Sequence, residues 1–127
     1  MPPSPRDSHI SVVHNRSIFI FGGHDGVNKI NDFYEFNVDN NTWQEVLCSG
    51  LGAPPSPRHS HCATVCEDCM YIFGGFDGVN YLNDFFKFNF ITNTWNELKT
   101  DSQAKPTPRY KSECSYSLEL LLASSKI

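Results

Sequence analysis

The sequence lacks any cluster of basic residues. Its 10 Lys and Arg stand against 14 Asp and Glu, which gives a formal net charge of −4. The basic residues are scattered along the chain and form no stripe. Because nucleic-acid binding depends on clustered Lys and Arg that neutralise phosphates, we expect no nucleic-acid partner.

Long apolar runs are also missing. Residues 1–6 have no apolar centre of the kind found in secretory signals, and the apolar run at 120–123 is too short to cross a bilayer. The five cysteines, an odd number, favour a reducing compartment over a disulfide framework. These features predict a soluble, cytoplasmic protein with no membrane partner.

Motifs of catalysis are likewise absent. The chain contains no Gly-rich phosphate loop and no nucleophile elbow, so we expect no enzyme and no cofactor. No segment has a convincing helical period either. The ten Phe favour strands over helices.

What the sequence does contain is a long internal repeat. Residues 19–43 and 71–95 lie 52 positions apart and are identical at 16 of 25 positions. The match continues upstream, where a Pro-Pro-Ser-Pro-Arg segment at 2–6 recurs at 54–58. Such agreement indicates one structural unit used twice.

Each unit is predicted to form four short strands. In the first unit these are residues 9–14, 18–21, 32–38 and 42–46, separated by turn signals such as Gly22-Gly23 and Asp25-Gly26. A sheet that is apolar on both faces needs a neighbour on each side, and radial stacking of such sheets produces a β-propeller with one blade per repeat. The Pro-rich segments cannot lie inside a sheet ladder and are predicted to connect blades.

The repeated motifs resemble those of the Kelch family. The order in each unit is Arg-x-x-His, Tyr/Phe-Ile-Phe-Gly-Gly, Asn-Asp-Phe-x-x-Phe and Thr-Trp, over residues 2–98. The Pro-x-Pro-Arg segment most resembles the leucine-zipper-like transcriptional regulators and the rabex-type Kelch proteins. The resemblance implies an all-β partial propeller of two four-stranded antiparallel blades. Trp43 and Trp95 are large enough to fill the space between blades, and Trp43 is predicted to lie near the blade boundary.

The predicted organisation is blade 1 at 1–49, blade 2 at 50–100 and a third unit that begins and then fails at 101–127. Pro106 to Arg109 match the segment that precedes each blade, but Ser112 replaces the expected His and no double glycine follows. We expect this tail to be disordered, in a fragment of a longer propeller whose open blade faces favour self-association.

The loops after the double glycines are the candidate binding site, because they differ where the framework agrees. In the resembling family such loops bind partner proteins, which implies a scaffold or substrate-adaptor role. Exposed aromatic and arginine side chains are typical binding anchors. The candidate partner contacts are His24, Lys29, Arg58, His59, Phe76 and Tyr81.

Several other residue patterns have alternative interpretations. Cys62, Cys66 and Cys69 follow His59 and His61, and Cys66 and Cys69 have a zinc-like spacing. Because no second ligand pair is near in sequence, we expect a plain pair of small residues at strand ends and no metal, with a disulfide as the alternative. His9 and His61 recur at one repeat position, which favours structural hydrogen bonds over catalysis. The alternative function is a fragment of a Kelch-fold, copper-dependent oxidase, which needs ligands from several blades.

Overall fold

A computed structural model describes residues 2–48 and 52–98, and these form two antiparallel sheets of four strands each. Blade 1 contains β1 (Ile10–His14), β2 (Ser17–His24), β3 (Lys29–Asn37) and β4 (Thr42–Glu45). Blade 2 contains β5 (Cys62–Cys66), β6 (Cys69–Phe76), β7 (Tyr81–Asn89) and β8 (Thr94–Glu97). In each blade the strands pair in chain order, as the sequence predicts. The predicted domain boundaries and the tail at 101–127 lie outside the described residues.

The second strand of each blade is longer than predicted. It passes through the double glycine instead of ending there, with a register irregularity between Phe21 and Gly23 and an equivalent one between Phe73 and Gly75. A Cβ atom on Gly23 would lie 2.7 Å from the backbone oxygen of Asp7. Glycine is therefore needed at position 23, because the segment before β1 pairs with β2 here through Asp7 and leaves no room for a Cβ atom.

The two blades share one apolar core. Trp95 of β8 is 1% exposed and stacks against blade 1, with ring centroids 5.4 Å from Phe21 and 5.5 Å from Phe33. Phe88 of β7 lies 4.9 Å from the Phe33 ring at nearly a right angle. Edge-to-face and tilted packing of this kind is the favoured arrangement of aromatic rings in a protein core. One face of blade 1 thus packs against the opposite face of blade 2.

The prediction that Trp43 lies near the blade boundary is wrong. Trp43 is half-buried, and the ring contact of its indole is with Phe36 of its own blade, at 5.0 Å. The equivalent residue Trp95 occupies the boundary instead. Alternation along the strands explains this, because Phe36 and Trp43 are on the face of blade 1 opposite to Phe21 and Phe33.

The expectation that both blades expose an apolar outer face also needs correction. The face of blade 2 turned away from blade 1 is covered, with Phe73 at 0% and Phe85 at 1% exposure. In blade 1, by contrast, Tyr34, Phe36 and Trp43 are all half-buried on the face turned away from blade 2. Among the described residues, the uncovered aromatic face therefore belongs to blade 1.

The Pro-rich segment before blade 2 connects the blades, as predicted. The carbonyl oxygen of Arg58 accepts a hydrogen bond of 2.9 Å from Gly23 N–H, and the side chain of Asn31 donates to Pro55 O at 3.0 Å. His61 is fully buried, and its Nε2 lies 3.0 Å from Phe21 O in blade 1. His61 thus makes a structural contact between the blades.

Candidate functional site

Arg58 belongs to the blade interior. Its side chain is 0% exposed and makes a bidentate ion pair with Asp84, at 2.6 and 2.8 Å. The same guanidinium donates to Gly74 O and to Ser56 O, each at 3.0 Å. The hydrogen bonds of its side chain are therefore all within blade 2 and the segment before it, and we drop Arg58 from the candidate partner contacts.

The same arrangement of a buried arginine and its aspartate, which we call the Arg–Asp clamp, exists in blade 1. Arg6 forms a bidentate pair with Asp32 and donates to Gly22 O at 3.2 Å, and its side chain is 3% exposed. Each clamp joins the segment before a blade to the double glycine and to β3 or β7. The Arg and Asp residues are identical between repeats because they hold the framework on which the loops are placed.

The β2–β3 and β6–β7 loops are built on identical turns. Asp77 accepts hydrogen bonds from the backbone N–H groups of Asn80 at 2.7 Å and Val79 at 2.9 Å. These two donors lower the pKa of Asp77 below its ordinary value, the Asn80 contact first. Asp25 makes the equivalent contacts in blade 1, and its pKa is lowered in the same way. The aspartates are turn formers, as the sequence indicates.

Five of the six predicted contact residues meet around these loops. His24 of β2 faces His59 with ring centroids 5.9 Å apart, and His59 lies 5.8 Å from the Phe76 ring. Phe76 in turn packs against Tyr81 at 5.0 Å. The ammonium of Lys29 lies 5.9 Å from the centre of the Phe76 ring, within the range of a cation–π contact. We call these five residues the loop cluster.

The loop cluster crosses from one blade to the other. His24 and Lys29 come from blade 1, whereas Phe76 and Tyr81 come from blade 2. His59 lies in the segment between the blades and pairs with Phe76 in a short antiparallel bridge. The cluster therefore exists only when the two blades are packed together, which a single repeat cannot provide.

The electrostatics of the cluster are set by its cationic groups. The pKa of His59 is lowered, first by burial and then by the charges of Lys29 and His24, while Asp7 acts in the opposite direction. The proton on His59 is therefore disfavoured in the free protein, first because burial disfavours the charged ring and then because neighbouring positive charges repel it. A negatively charged group placed between Lys29, His24 and His59 would act in the opposite direction on the pKa of His59.

Two residues of this surface were not predicted. Val27 and Val79 occupy the same position in the two loops and are 82% and 81% exposed, beside Tyr81 at 51%. We had looked for positions where the repeats differ, and these two valines are identical. The signal that would have found them is a valine inside an Asp-Gly-Val-Asn turn, where nothing in the local structure buries it.

The cysteines form no metal centre among the described residues. Cys66 and Cys69 are paired at the end of the β5–β6 hairpin and are free thiols. Within 2–48 and 52–98 there is no group of three or more His, Cys, Asp or Glu placed to hold a metal. Cys62 is fully buried in β5, with its Sγ 3.5 Å from Phe73 O. No helix capable of spanning a bilayer occurs in the same described ranges.

Comparison with known proteins agrees with this architecture. The model of the KLHDC2/KLHL20/DRC7 Kelch-repeats domain matches residues 1–122. A leucine-zipper-like transcriptional regulator 1 homolog of Drosophila melanogaster is 34% identical over 82% of this chain and 11% of its own length. The Rho GTPase-activating protein gacHH of Dictyostelium discoideum is 34% identical over 89% of this chain and 8% of its own length.

A third relative is the mouse Kelch domain-containing protein 1, which is 31% identical over 84% of this chain and 26% of its own length. The chain thus spans between 8% and 26% of these three relatives. The two-sheet architecture, the paired Arg–Asp clamps and the match over residues 1–122 lead to one conclusion. The chain belongs to the KLHDC2/KLHL20/DRC7 group of Kelch-repeat proteins.

Proposed function

We propose that the chain is a non-catalytic protein-interaction module that binds a protein partner through the loop cluster and the two loop-tip valines. The observation that carries this proposal is the convergence of His24, Lys29, His59, Phe76 and Tyr81 from two blades. These residues lie where the two repeats differ, on a framework that is otherwise repeated.

The chemistry of the surface supports a protein partner. Aromatic side chains beside a cation are typical binding anchors, and exposed valines on both sides add apolar area that a partner can cover. The turns that carry the valines are fixed by the Asp25 and Asp77 hydrogen bonds. A loop held in this way loses little conformational entropy when a partner binds.

The relatives support a scaffold rather than a single activity. They include a protein named as a transcriptional regulator homolog and one named as a Rho GTPase-activating protein, and in both the matched part is a small fraction of the protein. We infer that the Kelch repeats contribute binding. A cytoplasmic location stays a prediction, and fractionation of cells that express the protein tests it.

The test is replacement of the two blade 2 anchors, Phe76→Ala and Tyr81→Ala, in the full chain. The affinity of this variant for the partners that the unchanged chain captures from cell extract should be at least about tenfold weaker, since buried aromatic anchors contribute most of the energy of an interface. The matched control is the pair Val13→Ala and Ile91→Ala, which removes apolar side chains that are 68% and 70% exposed at the opposite end of the blades.

Both double variants should keep the strand circular dichroism of the unchanged chain. If the Phe76 and Tyr81 variant captures every partner as well as the control variant does, the loop cluster is not the binding surface.

A further inference from the structure

The loop cluster gathers positive groups in a protein of net charge −4. Lys29 and His59 lie beside the Phe76 ring, and His24 lies beside His59. Lys29 also lies against the neighbouring loop, 3.4 to 3.6 Å from where a Cβ on Gly78 would be. The carboxylate of Asp77 close by is already satisfied by its own turn. All three side chains are partly exposed, so a ligand can reach them.

The two histidines have different roles. The backbone N–H of Gly26 donates to Nδ1 of His24 at 3.2 Å, so Nδ1 carries a lone pair and the ring proton is on Nε2. His24 therefore offers Nε2–H as a hydrogen-bond donor. His59 has only Ser60 Oγ on its Nδ1, at 2.9 Å, and this hydroxyl can accept a proton from the ring as well as donate one. His59 is thus the imidazole that is free to gain charge.

We propose that the loop cluster holds a carboxylate of the partner, from an Asp or Glu next to an apolar residue, between Lys29, His24 and His59. This inference rests on the proposed function and names the ligand class of the same surface. Lys29 supplies the permanent charge, Nε2–H of His24 donates a hydrogen bond, and His59 becomes charged when the carboxylate is bound. The apolar neighbour of the carboxylate packs on Phe76, Tyr81 and the loop-tip valines.

The sign of the pH dependence follows from the groups that face His59. Lys29 and His24 repel its proton, and Asp7 is the acidic group that attracts it. A bound carboxylate adds a second attraction, so the pKa of His59 is higher in the complex than in the free protein. The complex then binds more protons than the separate molecules do, and affinity rises as the pH falls through the titration range of this histidine.

The experiment is a selection from a library of random peptides displayed on phage, with the full chain immobilised, at pH 6 and again at pH 8. Enriched peptides are expected to contain Asp or Glu beside an aromatic or aliphatic residue. For the strongest peptide, replacing its carboxylate by the matching amide should weaken binding about fivefold at pH 6, since a partly exposed ion pair contributes up to about this factor. The loss should be smaller at pH 8.

Three variants identify the groups. Lys29→Gln should make the acidic and amide peptides bind alike, whereas His59→Gln should keep the preference for the acid but remove most of its pH dependence. Lys87→Gln is the matched control, since Lys87 lies in the middle of β7, away from the loops. It should leave both properties unchanged.

The outcomes separate the two proposals. Enriched peptides that need Phe76 and Tyr81 but carry no carboxylate, or that bind equally as acid and amide, overturn the carboxylate site and leave the interaction module standing. An acid preference that does not change between pH 6 and pH 8 overturns the role of His59. If no peptide is enriched in a Phe76- and Tyr81-dependent way, the proposed function is refuted and the carboxylate site with it.

Discussion

The two tryptophans at the same repeat position offer a matched test of how the blades pack. Trp95 is 1% exposed and contacts Phe21, Phe33 and Phe88 with ring centroids between 4.9 and 5.5 Å apart. Removing such a side chain leaves a cavity, so Trp95→Ala should lower the free energy of unfolding by about 4 kcal/mol. Trp43 is half-buried, and Trp43→Ala should cost about 1 kcal/mol because less apolar area is lost.

Urea denaturation followed by circular dichroism measures both changes. Because a domain of this size is stable by only about 5–15 kcal/mol, Trp95→Ala can leave too little folded protein to measure. Trp95→Leu and Trp43→Leu then give a smaller version of the same comparison. Equal losses at the two positions, or a greater loss at Trp43, would refute the packing of blade 2 on blade 1 through Trp95.

Three further predictions concern the clamp, the turns and the open face. Asp84→Asn leaves the buried Arg58 without a counter-charge and should lower the free energy of unfolding, measured by urea denaturation, by about 3 kcal/mol. Asp39→Asn, in an exposed ion pair, should lower it by at most about 0.5 kcal/mol. Equal losses would contradict a stabilising Arg58–Asp84 clamp. Because the folded pKa of Asp77 is lowered from 3.8, its turn contributes stability above that pH and loses it as the pH falls through the folded value. Asp77→Ala should therefore flatten the fall in melting temperature below about pH 4, and an unchanged slope argues against this turn. Sedimentation should show self-association of the chain through the uncovered face of blade 1, reduced by Ile20→Lys and not by Val79→Lys, which changes an exposed loop tip of blade 2. A monomeric unchanged chain would show that this face of blade 1 is stable in contact with solvent.

Much of the fold could be predicted because the repeat contains it twice. The strands, their order and the antiparallel pairing follow from alternating apolar residues between turn signals, and the Kelch-like motifs place them in blades. Which face of a blade meets its neighbour could not be predicted. Both faces of β2 and β3 are apolar, so the strand pattern alone does not distinguish the Phe21 side from the Ile20 side.

Arg58 shows where reasoning from residue type fails. An arginine in a loop between strands is a reasonable binding anchor, and its carboxylate partner is 26 residues away in the sequence. The signal was present, because Arg6 and Asp32 recur as Arg58 and Asp84 at the same offset. A paired recurrence of opposite charges indicates a structural ion pair inside the repeat rather than a contact with a partner.

The candidate contacts were chosen because the two repeats differ at these positions, and such a difference marks residues that the framework does not require. That reasoning finds His24, Lys29, Phe76 and Tyr81, but it cannot show that they touch each other across two blades. It also misses Val27 and Val79, because identity between repeats is expected of framework residues and here occurs at exposed loop tips.

The most direct test of the account is photo-crosslinking from the loop tip. A benzoyl-phenylalanine placed at Val79 should crosslink to a captured partner, because this side chain is 81% exposed beside the loop cluster. The same group at Ile91, which is 70% exposed at the opposite end of blade 2, should give little or no crosslink. Crosslinking from Ile91 and none from Val79 would contradict the claim that partners bind at the loops between the second and third strands of the blades.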